Sequence, residues 1–73
     1  MGMVTEIVFL VEEDPEGGHV ASAIGAAIVT QAETIEELRE AVYEAVHCHF
    51  DEDDPDRPRR IRLRFVREEV IAA

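Results

Sequence analysis

Three groups of residues in this chain carry side chains of the kind that does chemistry. They are His47-Cys48-His49, the acidic run Asp51-Glu52-Asp53-Asp54-Pro55-Asp56, and the alternating Arg60, Arg62 and Arg64. Zinc needs ligands that converge on one point, at spacings such as C-x2-C or H-x3-H. His47 and His49 on a helix would sit about 200° apart, so they share no metal unless the helix has already ended. The sequence instead places His49 at the edge of the core, His47 in solvent and Cys48 at the rim of the buried face. For calcium, an EF-hand loop needs glycine at its sixth position and a bidentate glutamate at its twelfth. Counted from Asp51, those positions hold Asp56 and Arg62. A contiguous acidic string also fails to gather carboxylates around two ions as a nuclease site does.

Nucleophilic catalysis finds no better footing. Ser22 is the only serine and no base is paired with it in the sequence, while Cys48 is the only cysteine and falls within a helical stretch. No GxGxxG or P-loop is present, and Gly17-Gly18 reads as a turn. The sequence therefore predicts no catalytic residue, no metal, no cofactor and no enzyme activity. The arginines are different. On a strand, Arg60, Arg62 and Arg64 stand about 6.6–7 Å apart along one sheet face. Glu6 and Glu12 on a neighbouring strand could neutralise them. They could equally form a docking face for an acidic surface, including that of a second copy, and the two readings are compatible.

The elements that must position these residues follow from periodicity. Met3 to Glu13 reads as a strand rich in β-formers, with Ile7, Phe9 and Val11 on one side and Val8 and Leu10 on the other. Apolar residues on both faces predict a central strand, covered on one side by a helix and on the other by a second subunit. Asp14-Pro15-Glu16-Gly17-Gly18 is a turn signal, since proline presets φ and the glycines supply positive φ. His19 to Gly25 then pairs back as a hairpin, and Ile28 to Gln31 makes a short third strand. The small residues Ala21, Ala23, Gly25, Ala26 and Ala27 allow close helix-on-sheet packing. Thr34-Ile35-Glu36-Glu37 fits a capping box that opens a helix. Ile35, Leu38, Val42, Ala45, Val46 and His49 fall on one stripe of it, with Glu36, Glu37, Glu40, Glu44 and His47 opposite. After a polar loop, Arg60 to Val66 alternates, with Ile61, Leu63 and Phe65 toward the core. The order β-β-β-α-β predicts an α+β fold, a mostly antiparallel four-stranded sheet with one helix on one face. The handedness rule for crossovers returns the last strand alongside the first.

Composition bounds the function. With 73 residues there is room for one domain, and a chain this short buries only about 60% of the surface its unfolded form exposes. A single cysteine excludes an internal disulfide, which leaves self-association as the expected supplement to stability. The first residues lack the basic and apolar regions of a signal peptide, and no apolar run reaches the roughly 20 residues that span a bilayer. A cytoplasmic location and no membrane contact are expected. The net charge is −10, every basic residue is an arginine, and the first is Arg39. Such a chain is repelled by phosphate backbones and attracted to basic proteins.

Two stretches resemble a known family. Glu13-Asp14-Pro15-Glu16-Gly17-Gly18-His19-Val20-Ala21 is similar to the first hairpin of the HicB-like antitoxins. Val29-Thr30-Gln31-Ala32-Glu33-Thr34-Ile35-Glu36-Glu37-Leu38 is similar to that family's approach to its helix, and is the more specific of the two. The resemblance implies a partial RNase-H-like fold without nuclease residues. It also implies homodimers or tetramers that bind and mask HicA, a small basic RNA-cleaving toxin. The chain departs from the family at Ala23-Ile24-Gly25-Ala26-Ala27, where members carry a Pro/Gly-containing segment. It also stops at Ala73, where many continue into a DNA-binding half, so autorepression by this chain is not expected. An orphan regulatory or small-ligand-sensing domain without a toxin is the alternative. Self-interface or partner-binding candidates are Glu6, Val8, Leu10, Arg60, Arg62 and Arg64.

Overall fold

Alternation along the first strand sets the layers. In the computed structural model, which describes residues 5–73, β1 (Glu6–Glu13) turns Ile7, Phe9 and Val11 inward, and all three are buried. β2 (His19–Ala23), β3 (Val29–Ala32), α1 (Ile35–His49) and β4 (Arg60–Phe65) follow. This is the β-β-β-α-β order and α+β class that the sequence predicts. The strands form one sheet in the order β3-β2-β1-β4, so β1 is central. β1 and β2 pair antiparallel, as do β2 and β3, and β4 lies parallel to β1. The last strand thus returns beside the first.

The helix begins where its first turn can be capped. Thr34 Oγ1 accepts from the amide of Glu37 at 3.1 Å, and the Thr34 carbonyl accepts from Leu38. Only half of the expected capping box forms, because the Glu37 carboxylate accepts from the Thr34 hydroxyl and not from a backbone amide. Leu38, Val42 and Val46 are buried and join Ile7, Phe9, Val11, Ala21 and Ile28 in one core cluster. Ala21 is fully buried and Ala23, Ala26 and Ala32 pack against the cluster, so the small residues do allow a close approach. α1 rests chiefly on β3 and β2. That offset explains Phe65, expected in the core but 54% exposed on the far edge strand, whereas Ile61 and Leu63 are half-buried.

Several boundaries differ from the periodicity. Met3 and Val4, assigned to the first strand, lie outside the described residues. Thr5 is no part of the ladder: its hydroxyl donates to the Arg57 carbonyl at 3.0 Å and its own carbonyl accepts from Arg59 and Arg60. β2 stops at Ala23, two residues early, as the chain bends through Gly25 at φ +84°. β3 runs one residue later than expected, and Ile28 is buried just before it.

The β1–β2 turn needs glycine at two positions for different reasons. Gly17 and Gly18 have φ of +111° and +84°. A Cβ on Gly17 would meet open space, but one on Gly18 would lie 2.8 Å from the Ala32 carbonyl oxygen. Gly17→Ala should therefore cost about 1–2 kcal/mol from backbone strain alone. Gly18→Ala should cost clearly more, because β3 must also shift. Urea denaturation of the two variants checks this, and equal losses would contradict it.

Candidate functional site

Period-two alternation that buries Ile7, Phe9 and Val11 puts their neighbours on the opposite face, which α1 does not reach. The register assembles that face. Val8 lies beside Arg62 of β4, and Leu10 lies between Arg64 and Ser22. Glu12 is paired with Val20, Ser22 with Val29, and Glu6 with Arg60. Val8, Leu10 and Val20 are half-buried by the sheet itself, and Val29 is 70% exposed. The result is an open sheet face with an apolar middle, an arginine stripe on its β4 edge and a carboxylate toward each end of β1, Glu6 and Glu12. All six residues expected at an interface fall on this one face.

The electrostatics are local. Arg62 Nη2 donates to Glu6 Oε1 at 3.1 Å, and Arg60 Nη1 lies 3.9 Å from the same oxygen. The hydrogen bond from Arg62 is the main reason the Glu6 carboxyl sits below its ordinary value. Partial loss of water opposes it, and the charges of Arg62, Arg60 and Arg64 add to it. Arg62 is pushed up in turn, first by the same hydrogen bond. Arg64 makes no salt bridge among the described residues. Glu12, the expected partner, lies beyond the end of the β1–β4 register, which closes at Val11 and Phe65. Cross-strand neutralisation thus holds for Glu6 and fails for Glu12.

A second feature went unread in the sequence. His47 Nδ1 accepts from Arg57 Nη2 at 2.9 Å, and the His47 ring lies 4.2 Å from that of Tyr43. These residues wall a cleft of about 590 Å³ between α1 and the loop before β4, with Ile61 among its lining. Arg59, Glu52 and Asp54 also line it. The expected roles of the two histidines are reversed. His47 is half-buried against the loop, while His49 is exposed and meets the Phe50 ring edge-on at 4.8 Å. Cys48 is likewise exposed, not at a buried rim. The loop packs on the side of the helix that periodicity had assigned to solvent. Among the described residues no group of three or more His, Cys, Asp or Glu side chains could hold a metal ion, and no helix is long and apolar enough to cross a membrane.

Comparison with known proteins finds relatives of similar size. A UPF0150 protein of Thermotoga maritima is 42% identical over 67 residues, which cover 92% of this chain and 91% of the relative. A UPF0150 protein of Archaeoglobus fulgidus is 50% identical over 48 residues, 66% of this chain and 71% of that one. No family model matches the chain, and no solved structure gives a significant match.

The Glu6–Arg62 pair makes a testable claim about acid. A carboxyl lowered by folding contributes stability that is present above its unfolded value, near 4.5, and lost as pH falls through the folded value. Arg62→Gln should move the Glu6 titration back up toward its ordinary range, as followed by carboxyl-carbon NMR. An unchanged titration in the variant would show that the pair does not form in solution.

Proposed function

The chain belongs to the UPF0150 family, and on that premise we propose that it is a non-catalytic protein-binding module of the HicB-like antitoxin kind. It would bind and mask a small, basic, RNA-cleaving toxin of the HicA type. The observation that carries this reading is the separation of charge between the two sides of the molecule. Glu36, Glu37, Glu40 and Glu44 are exposed along the outer face of α1, and Asp51, Glu52 and Asp53 continue the acidic surface beyond its end. Six of the seven arginines come after residue 56, and three of those stand on the open sheet face. An acidic side steers a basic partner inward and speeds encounter. The arginine side would repel the same partner, so it serves a different contact, a second copy of this acidic chain. The turn and helix-approach motifs shared with HicB-like antitoxins support the same reading, as does the match in length with the Thermotoga relative.

A second reading is a stand-alone domain that senses a small anion. The cleft beside His47 favours it, because Arg57 there is half-buried and hydrogen-bonded to an imidazole ring instead of a carboxylate.

Two experiments test the proposal. Tagged protein recovered from its native cells should bring down a stoichiometric small basic protein that cleaves RNA when freed and stops when the domain is returned. A domain that comes back with no such protein contradicts the toxin-binding reading and leaves the anion-sensing one. For assembly, the wild type should sediment as an oligomer at micromolar concentration, and Arg62→Glu with Arg64→Glu should release monomers. A wild type that is already monomeric rules out self-association through this face.

A further inference from the structure

β4 ends at Phe65, and Val66 adds one more bond to β1, its amide donating to the Val11 carbonyl at 2.9 Å. Beyond that point the chain is without secondary structure and almost without cover: Val70 is 94% exposed and Ile71 84%. A chain of this length would have a radius of gyration of about 11 Å if wholly compact. The observed value is 14.2 Å, with extents of 52 × 23 × 20 Å. The segment runs past the β1–β2 hairpin, where its neighbours include Glu12, Glu13 and Asp14. Glu68 is therefore held near like charges on its own chain, and Val70 and Ile71 are left largely in water. Both placements are unfavourable, and no salt bridge among the described residues relieves the first.

The open sheet face offers the missing complement. Its β4 edge carries Arg64, which has no carboxylate partner among the described residues, next to Arg62. By register, Leu10 and Val8 lie one strand inward of these two arginines. Adjacent strands are about 4.8 Å apart, and two extended residues span about 6.6–7 Å. The segment has no strand structure to impose alternation, so its two acids can sit over the arginine edge while the two apolar residues that follow reach the apolar middle one strand away. The segment's own face is a poor target, because β4 carries the chain away from Arg64. Val66-Arg67-Glu68-Glu69 also contains neither glycine nor proline to turn it back.

We propose that Glu68-Glu69-Val70-Ile71 is an exchange arm that seats on the open sheet face of a second copy. Its carboxylates meet Arg62 and Arg64, and Val70 and Ile71 cover Val8 and Leu10. Exchange is reciprocal, so each copy supplies the segment that completes the other. The inference rests on the self-association reading and names the contact that produces it. It is independent of any toxin.

Cross-linking tests it directly on the full chain with Cys48→Ala. Copies carrying Val70→Cys are mixed with mass-tagged copies carrying Leu10→Cys and oxidised. The expected product is a disulfide between chains of different mass. Absence of that product, or a disulfide formed within one chain when both cysteines are present, overturns the proposal. Charge reversal provides the second measurement, without touching the core. Glu69→Arg should weaken association roughly 5-fold, although it makes the chain less acidic and would strengthen any non-specific association. Adding Arg64→Glu should restore it. If Glu69→Arg strengthens association, the arm has no such seat. An oligomer lacking both signatures would defeat the arm alone, whereas a monomeric wild type would defeat self-association as well.

Discussion

Phe9 has no exposed surface, and it lies in the middle of β1, one of the two interior strands of the sheet. Its burial under the Leu38–Val42–Val46 stripe is the constraint on which the rest of the molecule depends. Removing a buried aromatic ring of this kind costs about 3–5 kcal/mol, a large share of the stability available to so small a chain. Fixing Phe9 inward fixes Ile7 and Val11 with it, and by the same alternation fixes Glu6, Val8, Leu10 and Glu12 outward. β4 then inherits its facing from β1 through the parallel register, so the arginine stripe is on the open side because Phe9 is on the closed one.

One helix cannot cover a four-stranded sheet. α1 lies over β2 and β3, close to the small side chains of Ala21, Ala23 and Ala32, and this leaves both sides of β4 thinly covered. On the helix side the loop before β4 partly fills the space, anchored by Thr5 and by the His47–Arg57 bond. On the other side the described residues place no element over Val8, Leu10, Val20 and Val29. The functional reading grows out of this incomplete coverage, combined with a charge distribution that makes one side of the molecule acidic and the opposite side locally basic.

Local and periodic features were legible in the sequence. The two-faced first strand, the Thr34 cap, the α1 stripe, the Asp14–Gly18 turn and the Arg60–Phe65 alternation depend on neighbours a few residues away. The pairing of β4 with β1 was legible too, because crossover handedness restricts the choices. Features set by contacts distant in the chain were not. Thr5 meets Arg57 across 52 positions, and that contact takes Thr5 out of the strand that its β-forming character suggests. The histidine pair shows the same limit. Helical periodicity put His47 in water, but the loop folds onto that side and leaves His49 exposed instead. Phe65 has the right alternation for the core and misses it because the helix is offset toward the other edge. All six interface candidates share a face as alternation required, but of the two acids expected to neutralise the stripe only Glu6 does so, since the strand register ends before Glu12.

On this reading the open sheet face is covered by protein when the molecule works. Hydroxyl-radical footprinting of the protein at its cellular concentration, compared with the same chain diluted well below micromolar, tests it most directly. Val8, Leu10 and Val29 should be protected in the concentrated sample and become labelled on dilution, while exposed Tyr43 on the helix side stays equally reactive in the self-associated protein. Equal labelling of the sheet-face residues in both samples would mean that the face is free in water, and the account built on it would fail.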